Sequence, residues 1–426
     1  CMDFFAFLTM IGGLALFLYG MHILGEGLAK LSGGKLETFL SKMTDTPLKG
    51  VLLGAGTTAV IQSSSATTVM VVGFVNSGIM QLKQAVGIIM GANIGTTITS
   101  WILSLSGIES DSVFVMLLKP EAFSPILAIV GVFFLMFSKS EQKREAGGIL
   151  LGFAILMFGM DTMSTAVEPL KNVPAFTQLF VAFSNPFIGI LMGTILTAII
   201  QSSSASIGIL QALCATGTVP FSAVLPIIMG QNIGTCITAL LSSAGANTNA
   251  KRAAFIHLYF NIIGTTVFTG VFYLVHAFFP FAFLNQIATP AGIAIIHSCF
   301  NIAATILLLP FSQQLVRFAK LSVPEKSSAP KQKLPPELTA LSHMDRRFLD
   351  NPPFALKQCK TATGGMLSLA GETAEKTILL ISDYSEKKAD AVKKLEHYVD
   401  LYEDKINNYL KSPNIRYQNR IRKSCR

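Results

Sequence analysis

The chain has 426 residues, 51% of them hydrophobic and only 13% charged, against about 25% charged in an ordinary soluble domain, and this excludes a soluble enzyme as the whole of the molecule. The net charge of +9 divides unevenly: residues 1–310 hold 12 Lys+Arg and 11 Asp+Glu of the 33 and 24 in the chain, so the last 116 residues hold 21 and 13, placing +1 in the first part and +8 in the second. That excess follows the last apolar span, where the positive-inside rule places it, and so gives no support to nucleic-acid binding.

The first apolar run, Phe4 to Tyr19, has no basic leader and follows Asp3, which predicts a membrane helix rather than a signal peptide. Stretches long enough to span about 30 Å of hydrocarbon lie near 4–24, 82–104, 120–138, 147–166, 221–242, 253–279 and 288–310, seven candidate spans. Two more apolar stretches, 50–78 and 186–217, are interrupted midway by Gln62-Ser63-Ser64-Ser65 and by Gln201-Ser202-Ser203-Ser204. A lipid-facing helix would not gather four such residues, whereas a broken or re-entrant hairpin buried in protein can. After Pro310 the chain turns to Lys, Ser and Pro, notably between Lys326 and Pro336, which reads as a linker. Helical patterns follow at 354–382 and 386–411, the second with Val392, Leu395, Val399, Tyr402, Ile406 and Leu410 on one face, as in a soluble helical hairpin. The six cysteines form no CxxC pair and have no His at metal-ligand spacing, so neither a disulfide framework nor a zinc site is expected.

An internal repeat organises these elements. An offset of 139 aligns Gly13–Met21 with Gly152–Met160 and, without a gap, residues 47–106 with 186–245, at 24 identities in 60 positions. Each unit holds three spans and one hairpin, so an odd number of crossings turns the second copy over in the membrane, the inverted-repeat plan of secondary transporters. Loop charges agree: Lys30, Lys35, Lys42, Lys49, then Lys139, Lys143, Arg144, then Lys251 and Arg252 alternate with loops 105–119 and 167–185, which hold one Lys each, and 280–287, which holds none. The alternation predicts a cytoplasmic C-terminus and, if both hairpins re-enter, an outside N-terminus. The expected domains are repeat 1 over 1–145, repeat 2 with one extra helix over 146–310, a linker over 311–353, a helical region over 354–411 and a basic, unpatterned end over 412–426.

The residues that carry chemistry are duplicated with the repeat. Gln62 to Ser65 precede Asn93-Ile94-Gly95-Thr96, and Gln201 to Ser204 precede Asn232-Ile233-Gly234-Thr235, with 31 positions from Gln to Asn in both copies. Hydroxyls and amides both donate and accept. Free backbone N–H groups at a helix restart suit an anion, and unpaired carbonyls at a helix stop suit a small cation. Close helix packing explains many single Ser and Thr residues but is the lesser reading for Thr97, Thr99 and Thr238, and eight clustered polar side chains are too costly for packing alone. A serine nucleophile needs an adjacent base, and segments 50–104 and 186–242 contain no His, Asp or Glu. Nor is there Lys or Arg between Val51 and Leu82 or between Pro186 and Leu241, so an anion's charge would have to be met by co-bound cations. Protons are usually carried by membrane carboxylates or histidines, here Asp161, His257, His276 and His297, and sodium fits the oxygen-rich clusters better. His257 and Asn261, like His297 and Asn301, stand one turn apart, placed either for interhelical hydrogen bonds or for ion contact.

At these residues the chain resembles the type II sodium-phosphate cotransporter family, in which the Gln-Ser-Ser-Ser signature occurs once in each inverted repeat; Gly91 to Thr96 and Gly230 to Thr235 resemble its companion motifs. The resemblance covers roughly residues 10–310. It implies an all-α membrane protein, not an enzyme, that imports inorganic phosphate with sodium across the bacterial cytoplasmic membrane and needs no organic cofactor. Carried over by position, Gln62, Ser63, Ser64, Ser65, Gln201, Ser202, Ser203 and Ser204 would bind phosphate, and Ser64, Ser65, Thr67, Asn93, Thr96, Ser203, Ser204, Asn232 and Thr235 would bind sodium. Electrogenic animal members carry an Asp in the first half that is missing from 51–104. The tail resembles part of a PhoU-like domain, although Glu396, Asp400 and Asp404 read more simply as a solvated helix face than as a metal motif. A sulfate or arsenate symporter, or a phosphate sensor signalling through the tail, are the competing readings, and a homo-oligomer is compatible with each.

Overall fold

The computed structural model describes residues 4–31, 46–107, 120–214, 216–325, 335–342, 344–350 and 352–411, which are helical with no strand among them. Lys35, Lys42, Lys119, the linker from Lys326 to Leu334 and the basic end 412–426 lie outside the described residues. In chain order the helices are α1 (Phe4–Leu31), α2 (Pro47–Ile61), α3 (Ser64–Asn76), α4 (Leu82–Ser104), α5 (Pro120–Phe137), α6 (Glu141–Val167), α7 (Pro174–Phe183), α8 (Pro186–Ile200), α9 (Ser203–Cys214), α10 (Phe221–Ser242), α11 (Thr248–Phe278), α12 (Pro290–Leu308) and α13 (Ser312–Ser322). The tail adds the single turn α14 (Thr339–Ser342) and the long helices α15 (Pro352–Ser382) and α16 (Glu386–Leu410). Among the described residues six helices are long and apolar enough to cross a membrane: α1, α4, α6, α10, α11 and α12. The span read at 120–138 is the apolar helix α5, of which Ala122–Phe137 is described in full.

Close glycine crossings set the framework. A Cβ on Gly20 would lie 2.3 Å from Leu156 N, and one on Gly159 would lie 2.3 Å from Phe17 N; Gly13 in turn meets Met163 and Gly159. Contacts that rise along α1 as they fall along α6 make the two helices antiparallel. Gly13 and Gly152 are equivalents at offset 139, as are Gly20 and Gly159, so each crossing maps onto the other as in a two-fold interface.

Within each repeat the first hairpin arm packs on the following span in the same register. A Cβ on Gly54 would sit 2.1 Å from Ile88 O and one on Gly91 2.0 Å from Val51 O; the equivalents Gly193 and Gly230 would sit 2.1 Å from Ile227 O and 2.0 Å from Ile190 O. These contacts rise together along both partners, so α2 runs parallel to α4 and α8 parallel to α10. The helix between them must therefore return the chain to its starting side. With 15 and 13 residues, α2 and α3 rise roughly 22 and 20 Å at 1.5 Å per residue, short of the bilayer core. At the end of α3, Asn76 Oδ1 accepts from Asn247 N at 2.8 Å, so α10 ends on the side where α4 begins and the two run antiparallel.

The stretch read as linker over 311–353 is more ordered than its composition predicts. Its amphipathic α13 buries Leu315 and Ala319 in the same core as α3, α4 and α11, and Arg252 Nε donates to Val323 O at 2.9 Å. The tail has its own core of Leu338, Leu341, Ala355, Cys359, Leu395, Tyr398 and Tyr402, with Tyr402 OH donating to Glu337 O at 2.7 Å. Burial pushes the Tyr402 phenol up from its usual pKa. Glu396, Asp400 and Asp404 are exposed, and no group of three His, Cys, Asp or Glu poised to hold a metal occurs among the described residues.

Candidate functional site

Each interrupted stretch breaks at its glutamine. Gln62 ends α2 in the left-handed region at φ 59°, ψ 24°, with its N–H donating to Thr58 O at 2.7 Å; Gln201 ends α8 at φ 57°, ψ 24°, donating to Thr197 O at 2.7 Å. Among the described residues these two are the only non-glycine positions with positive φ, a conformation that costs on the order of 1–3 kcal/mol each. The chain restarts at once: Ser63 Oγ accepts from Ala66 N at 3.1 Å and Ser202 Oγ from Ala205 N at 3.2 Å, capping α3 and α9.

The two breaks meet. Ser65 Oγ donates to Gln201 O at 3.4 Å, and Gln62 to Ala66 face Ser202 to Ser204 across a cavity of about 430 Å³, within the range of small-ligand sites. Two helix N-termini open on it. Their leading N–H groups and the positive ends of their dipoles favour an anion. The site stands unlike its two halves in one respect. Gln62 is buried with Oε1 accepting from Thr99 Oγ1 at 3.0 Å, and Thr58 Oγ1 donates to Thr67 Oγ1 at 3.0 Å. In the second half Gln201 is exposed, and the hydroxyls at the equivalent positions, Thr197, Ser206 and Thr238, have no hydrogen-bond partner among the described residues.

The cavity wall corrects the expectation of a site without fixed cations. His22, Glu26 and Lys30, four residues apart along one face of α1, line it, as do Arg347 and Phe348 from the tail. Each cation has a carboxylate beside it: Lys30 Nζ lies 3.7 Å from Glu26 Oε2 and 3.9 Å from Glu145 Oε2, and Arg347 Nη1 lies 2.7 Å from Asp345 Oδ2. The fixed charges are thus largely offset, and a divalent anion would still need mobile cations. Hydropathy ends this span near residue 24, whereas the helix continues to Leu31 and carries the three residues with it; their four-residue spacing is the signal the sequence holds for them. Arg347 and Phe348 belong to no motif.

Several sequence-predicted residues lie away from the cavity wall. Thr67 Oγ1 donates to Ser63 O at 3.1 Å behind the break. Asn93 Nδ2 donates to Asn261 Oδ1 at 2.7 Å and its Oδ1 lies 3.3 Å from His257 Nε2, an interhelical network joining α4 to α11. Thr96 donates to Ala92 O, Asn232 to Ile228 O and Thr235 to Gln231 O, each within its own helix. His297 Nδ1 pairs with Ser100 Oγ at 2.8 Å, and Asn301 donates to His297 O. The first His-Asn pair therefore ties α11 to α4, and in the second His297 alone ties α12 to α4.

Among known proteins the chain is similar to "Uncharacterized protein YqeW" of Bacillus subtilis, 32% identical over 73% of this chain and 96% of the relative. It is similar also to "Putative inorganic phosphate export protein YjbB" of Salmonella typhimurium, 26% identical over 92% of this chain. It spans 65% of that relative's length. A shorter match, 36% identical over 22% of this chain and 15% of the relative, is to "Sodium-dependent phosphate transport protein 2A" of Rattus norvegicus. No solved structure matches. The Na+/Pi-cotransporter family matches residues 16–165 and 155–287, two stretches that between them contain both glutamine breaks. With that match and six membrane-length helices among the described residues, this multi-pass membrane protein belongs to the Na+/Pi-cotransporter family.

Proposed function

We propose that the chain is a sodium-coupled symporter of inorganic phosphate, with the anion held between the two glutamine breaks. The observation that carries this reading is the meeting of the breaks, Ser65 Oγ on Gln201 O, in one cavity fed by two helix N-termini. The phosphate oxygens accept from the hydroxyls of Ser63, Ser64, Ser202, Ser203 and Ser204, from that of Ser65 once its proton leaves Gln201 O, and from the N–H groups of α3 and α9; Gln62 and Gln201 hold the two breaks, Gln62 through its bond from Thr99 and Gln201 through the carbonyl that accepts from Ser65. Sodium ions supply the charge that the wall does not. The cavity serines Ser64, Ser65, Ser203 and Ser204 offer oxygens at the anion, and the unpartnered hydroxyls of Thr197, Ser206 and Thr238 offer more in the second half. Thr67, Asn93, Thr96, Asn232 and Thr235 join a sodium shell only if their present hydrogen bonds are exchanged for the ion.

The antiparallel α1–α6 and α4–α10 pairs support an inverted repeat, in which one half rocks against the other and opens the breaks to each side in turn. The loop charges support a tail on the cytoplasmic side, and the bacterial relatives support a bacterial cytoplasmic membrane. An inward sodium gradient then drives import. Export is the second reading, favoured by the name of the YjbB relative.

Phosphate flux in proteoliposomes decides among these. An imposed inward sodium gradient is expected to accumulate phosphate; uptake unchanged when choline replaces sodium overturns the coupling, and flux observed only outward supports export. Competition by sulfate and arsenate in the same assay measures selectivity.

A further inference from the structure

The tail does more than leave the membrane body. Phe348 is 1% exposed, its ring centroid is 5.2 Å from that of Phe74, and it occupies the space opened by Gly73, whose Cβ would lie 2.8 Å from Phe348 Cε1. Beside it, Arg347 Nε donates to Ser242 O at 2.8 Å and Nη1 donates to Asp345 Oδ2 at 2.7 Å. Asp345 is itself buried, and the same oxygen accepts from Asn76 Nδ2 at 2.6 Å. A continuous series of hydrogen bonds therefore runs from Asn76 through Asp345 and Arg347 to Ser242. Asn76 is the last residue of α3 and Ser242 the last of α10, so the series ties a hairpin arm of the first repeat to a span of the second. Arg347 of this series and its neighbour Phe348 stand in the wall of the cavity that holds the breaks.

We propose that residues 344–349 form a clasp that closes the cavity on the side from which the tail departs and must withdraw before an anion can pass that mouth. The inference rests on the transport reading for its biological meaning, because only motion of one repeat against the other requires the tie to break. Its physical basis is independent of that reading. A buried carboxylate satisfied by a guanidinium and an amide holds only while all three groups stay together, since parting one strands a buried charge. A tail state that withdraws Asp345 and Arg347 thus opens the mouth, and one that seats them shuts it, which gives the tail direct control over the cavity.

Ala66 lies at the cavity and is exposed there, so a single-cysteine reporter, Ala66→Cys with the six native cysteines replaced, reads access. Labelling by a charged, membrane-impermeant thiol reagent is measured in vesicles of both orientations, with and without Phe348→Ala or Asn76→Ala. Each substitution is expected to raise the labelling rate tenfold or more from the tail side and to leave the other side unchanged. Two variants are used because Phe348→Ala also removes packing, whereas Asn76→Ala removes only hydrogen bonds; each is checked for monodisperse elution. Unchanged labelling in both, in a protein that still moves phosphate with sodium, overturns the clasp alone. Faster tail-side labelling in a protein that moves no phosphate supports the clasp and removes the transport reading.

Discussion

Gln62 and Gln201 each hold a backbone conformation that glycine adopts at lower cost, yet both positions keep a side chain. Strain retained at both copies of a break points to work done by the amide. Replacing Gln62 by Gly relieves the left-handed backbone while losing both amide hydrogen bonds, from Thr99 at 3.0 Å and to Ala59 O, and the two opposing effects are of similar size, on the order of 1–3 kcal/mol. Gln62→Gly is therefore expected to unfold within about 1 kcal/mol of the parent while losing phosphate flux tenfold or more; thermal unfolding in detergent alongside uptake checks both. Ser203 gives a sharper separation. It lines the cavity, and no hydrogen bond engages its Oγ among the described residues. Ser203→Ala should leave the melting temperature unchanged and raise the KM for phosphate several-fold; wild-type KM would remove this serine from the site.

The helices that carry the breaks are positioned by glycine. Gly91 and Gly230, with carbonyl oxygens 2.0 Å from where a Cβ would stand, allow α4 and α10 to lie directly on α2 and α8 and so fix where each break sits. Adding one methyl forces the pair apart, and overpacking of this kind costs roughly 1–3 kcal/mol or more. Gly91→Ala and Gly230→Ala are expected to lower thermal stability by that order in detergent and to reduce transport. Gly148 in α6 has nothing within 4 Å of its Cβ position, so Gly148→Ala should be neutral or mildly stabilising, by up to about 1 kcal/mol, and serves as the control. Equal losses at all three positions would show that helix approach is not what these glycines serve.

Across the whole molecule, two repeats place their breaks face to face, and the charges around them are arranged in offset pairs. Glu26 and Glu145 accompany Lys30, and Asp345 accompanies Arg347. A divalent phosphate entering this cavity meets donors but little net positive charge, and desolvating it without counter-ions is unfavourable by several kcal/mol. Phosphate affinity should therefore rise steeply with sodium concentration, seen as a KM for phosphate that falls at least several-fold when sodium is raised from low millimolar to about 0.1 M at constant ionic strength, the strength being held because salt alone screens surface charge over about 10 Å. A KM indifferent to sodium would mean that the wall neutralises the anion unaided.

Much of this was legible in the residues themselves. Low charge and long apolar runs announce a membrane body, the 139-residue offset announces a duplicated plan, and Gln-Ser-Ser-Ser inside an apolar stretch announces a break, because each is a property of neighbouring residues whose burial and backbone preference are local. Where a pattern is local but its boundary is not, sequence and structure part: α1 outruns its apolar segment and carries His22, Glu26 and Lys30 to the cavity, and α13 forms inside a stretch that composition marks as linker. Which face of α4 meets the break was also beyond the spacing, since Thr99 reaches Gln62 while Asn93, six residues earlier, turns to α11. Above all, nothing in the sequence links Asn76 to Asp345, 269 positions away, or Ser242 to Arg347, 105 away. Periodicity and composition determine which segments enter the membrane and where they break; only the packing of distant segments decides which side chains share a cavity, because contact between them depends on helix register and crossing and leaves no mark in either neighbourhood of the chain.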